Sequence, residues 1–83
     1  MTLGKETEMG LKELFKANAE DYMLLSLLAD KLQKAGKVEE AKILMEKAKV
    51  ELGHARGIFE KLYQNAGNSM LNEFTREEAE EHV

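Results

Sequence analysis

A glutamate and a histidine three residues apart are the pair in this sequence best suited to chemistry. Glu51 and His54 lie within a pattern typical of one long helix from Lys37 to about Asn65. Side chains three residues apart on a helix share a face, so both can reach one metal ion. Carboxylate and imidazole groups together suit iron, manganese or zinc. The pair is therefore a candidate set of metal ligands.

Glu51 falls inside the apolar arc of this helix, and His54 falls at the edge of the arc. An isolated buried carboxylate is costly, so Glu51 must be paired, protonated or bound to metal. Metal ligation is one interpretation. The other is a structural polar layer, in which Glu51 pairs with a lysine or arginine or hydrogen-bonds Tyr22 or Asn18. The arc consists of Val38, Ala41, Leu44, Met45, Ala48, Leu52, Ala55, Ile58, Phe59 and Leu62.

The elements that position these residues are predicted to be helices only, because the chain has no proline and no strand-type alternation. Apolar residues with helical spacing predict helix 1 over about 8–35. Gly36 can adopt the left-handed backbone conformation that ends a helix, so helix 1 should end there. Helix 2 is predicted to follow over about 37–65. The short connection makes the two helices an antiparallel hairpin. A capping-box pattern from Thr75 to Glu78 predicts a short third helix over about 75–82, with little apolar content, in a single domain 1–83.

Polar residues of helix 1 are predicted to lie opposite the Glu51–His54 pair. In a hairpin that turns near Gly36, residues 51–54 face roughly 19–22. Asp21 lies on the inner stripe of helix 1, and Glu20 lies at its edge. Both carboxylates are therefore candidate ligands beside Glu51 and His54.

Length and composition limit the classes of protein to consider. A chain of 83 residues makes one small domain, which is marginally stable alone. It has no cysteine, so a metal or an oligomer is the expected source of added stability. A net charge of −4 without a basic block argues against a nucleic-acid partner. No apolar run approaches the roughly 20 residues that cross a bilayer, so we expect a soluble cytoplasmic protein with no membrane contact.

Helix 1 is apolar almost all round from Tyr22 to Ala29, so one hairpin cannot cover it. Two hairpins can, which predicts a homodimer in the form of a two-fold symmetric four-helix bundle. A longer four-helix chain that contains these residues stays open as an alternative.

The segment from Leu11 to Leu62 resembles half of the rubrerythrin branch of the ferritin-like superfamily. In that family each hairpin supplies one glutamate from its first helix and an E-x-x-H from its second. The resemblance implies two iron or manganese ions between two hairpins, and an oxidoreductase of the ferroxidase or peroxidase type. Asn18 occupies the position of the first-helix glutamate. The matching residues are Leu11, Phe15, Ala29, Gly36, Ala41, Leu44, Ala48, Glu51, His54, Ala55, Ile58, Phe59 and Leu62.

A second family fits part of the same stretch. One tetratricopeptide repeat has similar spacing of small and large residues, although a solenoid needs about three repeats and no second one follows. The alternative function is therefore a non-enzymatic dimerisation or protein-interaction module without metal. The residues concerned are Leu25, Ala29, Leu32, Gly36, Val38, Ala41, Met45 and Ala48.

Overall fold

The structure is a computed structural model that describes residues 4–81. Three helices account for almost all of this range: α1 (Lys5–Lys34), α2 (Val38–Ala66) and α3 (Asn68–Glu81). The two long helices pack against each other as an antiparallel hairpin, so the predicted all-α hairpin is confirmed. The predicted third helix is present, but its expected end at residue 82 lies outside the described residues. No helix among residues 4–81 combines the length and the hydropathy of a membrane span.

The turn between α1 and α2 forms as its glycine predicts. Gly36 has φ of 83°, in the left-handed region. The N–H of Lys37 donates to the carbonyl of Leu32 at 2.9 Å, and the N–H of Gly36 donates to the carbonyl of Gln33 at 3.1 Å. These bonds are the Schellman pattern, which satisfies the last carbonyls of α1. The chain can therefore reverse direction within a few residues.

A row of small side chains holds α1 and α2 together. On α2, every seventh residue from Ala41 is fully or almost fully buried, namely Ala41, Ala48, Ala55 and Leu62. This heptad spacing keeps one seam of a helix facing its neighbour. From α1, Ala29 and the polar Asn18 are buried in the same hairpin. Because three of the four α2 seam residues are alanines, the helix backbones approach closely but little apolar volume is enclosed.

Large apolar side chains consequently remain outside the seam, and several of them share one side of the hairpin. An α-helix rotates by about 100° per residue. This rotation places Leu14, Leu24 and Leu28 on one flank of α1, and it places Ile43 and Ile58 on one flank of α2. Leu14 and Ile58 line the same groove, so the two flanks lie side by side. Leu14, Leu24, Leu28 and Ile43 are 44–56% exposed. We call these five residues the open face, since α3 packs on the opposite side of the hairpin.

The third helix begins at Asn68, so the predicted start near Thr75 is wrong. Thr75 lies inside α3 rather than capping it. Gly67 alone separates α2 from α3, with φ of 55° and ψ of −130°. Its carbonyl accepts the N–H of Met70 at 3.1 Å and that of Leu71 at 3.3 Å. A single glycine therefore completes the turn and starts the next helix at once.

One phenylalanine from each helix fixes α3 on the hairpin. The ring centroids of Phe15 and Phe74 are 5.9 Å apart, those of Phe59 and Phe74 6.2 Å, and those of Phe15 and Phe59 5.6 Å. Aromatic pairs at such distances are attractive beyond the area they bury. Met70 adds a side chain that is only 2% exposed. The little apolar content expected of this segment is thus concentrated at the contact.

An ion pair stands beside the aromatic cluster and joins α1 to α3. The Lys12 ammonium donates a hydrogen bond to the Glu73 carboxylate and lies 5.1 Å above the centroid of the Phe74 ring. The bond to Glu73 raises the pKa of Lys12, and the same bond lowers the pKa of Glu73. The Lys12 side chain is 16% exposed and that of Glu73 is 50% exposed, so solvent screens the pair in part.

The two pKa shifts predict how the docking of α3 depends on pH. The ionised Glu73 carboxylate stabilises the docking of α3 fully above its usual pKa of 4.5. This stabilisation is lost as the pH falls through the lowered pKa. The protonated Lys12 amine stabilises the docking of α3 fully below its usual pKa of 10.5. This stabilisation is lost as the pH rises through the raised pKa. Docking should therefore be tightest between these limits. Glu73→Gln should weaken it by no more than about 1 kcal/mol at neutral pH.

The measurement is the NMR chemical shift of the Phe74 ring protons against pH. In Glu73→Gln the acid-side transition should disappear, whereas Glu80→Gln, at an exposed position of α3, should retain it. An unchanged acid transition in Glu73→Gln would contradict the assignment of this step to the ion pair.

Candidate metal centre

Glu51 and His54 contact each other in the structure. His54 Nδ1 lies 3.5 Å from Glu51 Oε1, and the side chains are 60% and 23% exposed respectively. The spacing of three residues on α2 brings the groups together without help from any other element. The pair leaves the imidazole largely accessible, while the carboxylate is held against the hairpin. One helix therefore presents a carboxylate and an imidazole side by side.

A groove between α1 and α2 adjoins this pair on the side of the open face. Leu14 and Asn18 of α1 line it together with His54 and Ile58 of α2. Asn18 is only 9% exposed. The α1 position that the family resemblance assigns to a glutamate thus holds a buried amide next to the histidine. An amide oxygen can accept a hydrogen bond or bind a metal, but it adds no negative charge.

The two candidate carboxylates of α1 lie in different surroundings. Asp21 is exposed, and its position on the helix places it on the flank that carries Leu14 and Leu28. Glu20 is also exposed, but it lines a groove beside α3 with Lys16 and Glu77. Of these two acids, only Asp21 shares the side of the hairpin on which His54 lies.

A single chain brings together only part of the predicted ligand set. Among residues 4–81, no three histidine, aspartate or glutamate side chains are close enough to hold one metal ion. Glu51 and His54 are in contact, whereas Asp21 and Glu20 stand apart from them. Within the described residues, Glu51 and His54 alone supply two ligands, so a metal centre that uses them would need further ligands.

Tyr22 does not join Glu51 in a polar layer. It lines the groove on the α3 side of the hairpin, together with Leu52 and Phe59. The contact that the structure shows for Glu51 is the one with His54. The structural interpretation offered a lysine or arginine, Tyr22 or Asn18 as the partner of Glu51, and the structure shows His54 instead.

The sequence pattern did not single out the open face as a unit. Leu24 and Leu27 are both exposed leucines of the segment from Tyr22 to Ala29 that is apolar almost all round, yet only Leu24 belongs to the open face. Leu27 lies about 60° from Leu24 around α1 and about 100° from Leu28, so it lies beyond the edge of the open face. A second stripe through Leu14, Leu24 and Leu28 was the available signal.

No protein-family model matches the sequence, and comparison with curated proteins and with solved structures gives no significant match. The similarity to ferritin-like hairpins therefore rests on the residues of the chain alone.

The position of Glu51 predicts that it lowers the stability of the metal-free protein. Glu51→Leu replaces a half-buried carboxylate in an apolar arc, so the free energy of unfolding should rise by about 1 kcal/mol. The measurement is urea denaturation with a chelator present. Lys47→Leu, at an exposed position one turn away, is the control and should change stability by less than about 0.5 kcal/mol. A loss of stability in Glu51→Leu would show instead that the carboxylate is a structural requirement.

Proposed function

We propose that this chain is a ferritin-like metal-binding protein whose metal centre forms between two copies of the hairpin. The observation that carries the proposal is the contact between Glu51 and His54 on the side of the hairpin that α3 leaves uncovered. Each copy offers an incomplete set of ligands there, and a second copy doubles it. The centre and the dimer are thus parts of one hypothesis.

The position of the pair along the hairpin supports this arrangement. Glu51 and His54 lie at the middle of α2, which extends over Val38–Ala66. Two antiparallel hairpins that overlap along their full length have their two-fold axis at mid-length. An axis there brings two Glu51–His54 pairs together, with Asp21 of each copy at the same level. Four carboxylates and two imidazoles suit two iron or manganese ions.

The open face supplies a driving force for such a dimer. Apolar side chains flank the polar pair on both sides, with Leu24, Leu28 and Ile43 towards the turn and Leu14 and Ile58 towards the other end. Complete burial of a leucine or isoleucine is favourable by about 1.5–3 kcal/mol. Exposed apolar clusters of this kind are typical of interaction sites. Association would also bury Glu51 further, which raises the free-energy cost of leaving its charge without a positive partner.

Bound iron or manganese would supply redox chemistry, either the oxidation of ferrous iron or reaction with peroxide or oxygen. Zinc would give a structural site instead. In both cases the chain holds the ion through Glu51 and His54, with Asp21 as the α1 ligand. The apolar side chains around them would keep bulk water from the site.

The metal hypothesis predicts uptake of Mn²⁺ or Fe²⁺ near one ion per chain, coupled to dimer formation. Because metal binds the dimer in preference to the monomer, saturating metal should stabilise the dimer by several kcal/mol. The measurement is isothermal titration followed by sedimentation equilibrium, with iron additions under anaerobic conditions.

Glu51→Gln combined with His54→Ala should abolish uptake. Glu20→Gln, at an exposed acid on the other side of α1, is the matched control and should bind as the native chain does. No uptake by the native protein, or uptake that survives the double substitution, would refute the site.

A second candidate function is a dimerisation module without metal, which the burial of Asn18 in place of a glutamate favours. Both functions need the open face, so Leu28→Glu should abolish self-association at micromolar concentration. Leu27→Glu changes a leucine that is 58% exposed outside the open face, and it should leave association intact. Light scattering of the metal-free protein distinguishes the two variants. Equal effects of both substitutions would contradict an interface at the open face.

A further inference from the structure

The docking site of α3 is formed by side chains of both α1 and α2, and we call it the cleft. Phe15 of α1 and Phe59 of α2 form its apolar part, and Lys12 provides a positive charge at its edge. Phe74 and Glu73 of α3 match these two features. The contacts to α1 are made by side chains near residues 12–20, well away from Gly67 in the sequence. The cleft thus recognises the side chains of α3 and needs no particular connection to α2.

The connection itself depends on one backbone conformation. Gly67 has φ of 55° and ψ of −130°, which is a region almost restricted to glycine. Helix continues directly on both sides of it, over Val38–Ala66 and Asn68–Glu81. The sequence around it contains no proline. If Gly67 became helical, α2 and α3 would form one helix, and α3 would leave the cleft of its own chain.

We propose that Gly67 is a hinge that keeps α3 in the cleft of its own chain, and that the cleft formed by Lys12, Phe15 and Phe59 takes α3 of a second copy once residue 67 leaves the left-handed conformation. Every contact of Phe74 and Glu73 can form equally well in an exchanged dimer, because the cleft is the same in both copies. A short hinge favours such exchange when its compact conformation is strained. Glycine removes that strain at position 67, and it therefore favours docking of α3 within its own chain.

The cleft lies on the α3 side of the hairpin, whereas the open face lies on the other side. A dimer formed through the open face alone would leave each Glu73 next to Lys12 of its own chain. Exchange of α3 instead places Glu73 of one copy next to Lys12 of the other. A measurement that identifies the partner of Lys12 separates the two.

The experiment uses the ion pair as its own reporter. Chains labelled with ¹⁴N and ¹⁵N are mixed in equal amounts, unfolded, refolded together and treated with a zero-length carbodiimide, which joins a lysine amine to a touching carboxylate. Mass spectrometry of the Lys12–Glu73 peptide pair then shows whether both peptides carry the same isotope. Native chains should give nearly all same-isotope pairs.

Gly67→Ala should raise the mixed-isotope fraction from near zero towards about half, the value for free exchange between equal populations. A Cβ at position 67 would meet only the carbonyl oxygen of Tyr63, at 3.9 Å, so the change acts through backbone conformation and not through a clash. Gly57→Ala, within α2 and with open space around it, is the matched control and should behave like the native chain.

Three outcomes would overturn the proposal. They are only same-isotope pairs in Gly67→Ala, a similar rise in Gly57→Ala, and the loss of the Lys12–Glu73 cross-link in Gly67→Ala. The last would mean that α3 does not dock in either arrangement once the hinge is changed.

Discussion

The close packing of α1 on α2 through alanine is the constraint on which the rest of the structure depends. Ala41, Ala48 and Ala55 let the helices approach, and Leu62 closes the seam at the end where α3 docks. A seam of small residues encloses little apolar volume, so it cannot absorb the leucines and isoleucines on its flanks. The hairpin therefore has two sides to cover. The chain covers part of one side with α3, and the large side chains of the open face stay exposed in the single chain.

The chemistry that Glu51 and His54 can offer depends on the same packing of α1 on α2. Glu51 lies among apolar residues of α2, and its neighbour His54 faces outward beside the open face. Within one chain the pair is a carboxylate and an imidazole that share a contact. Packed against a copy of itself, it would become part of a polar layer surrounded by apolar side chains, which is the setting that favours metal ions with oxygen and nitrogen ligands. In the proposed dimer, association and metal binding would therefore use a single surface.

The hairpin could be predicted from the sequence because its signals are local. Helical spacing, the absence of proline and the left-handed Gly36 each depend on a few neighbouring residues, and the contact between Glu51 and His54 follows from their spacing on one helix. The predicted start of α3 near Thr75 is wrong, because the capping-box pattern from Thr75 to Glu78 lies inside the helix and the turn at Gly67 starts the helix earlier. Tertiary contacts of Met70 and Phe74 stabilise the earlier start.

Other features depend on the rotation of the helices about their own axes. Asp21 and Glu20 are adjacent in sequence, yet they fall on different sides of α1 because one residue corresponds to about 100°. The cluster of Phe15, Phe59 and Phe74 joins three helices and has no periodic signature. Assembly of two hairpins is a property of two chains, so the pattern of exposed side chains can only predict it.

The distance between two copies of a single spin label tests the central claim most directly. The chain has no cysteine, so Lys37→Cys and Gly53→Cys each give one label per chain, at the turn and at mid-length of α2. A two-fold axis at mid-length predicts about 40 Å between labels at position 37, from the length of α2, and a clearly shorter distance between labels at position 53. Absence of any dipolar coupling, or a shorter distance at position 37 than at position 53, would contradict the account.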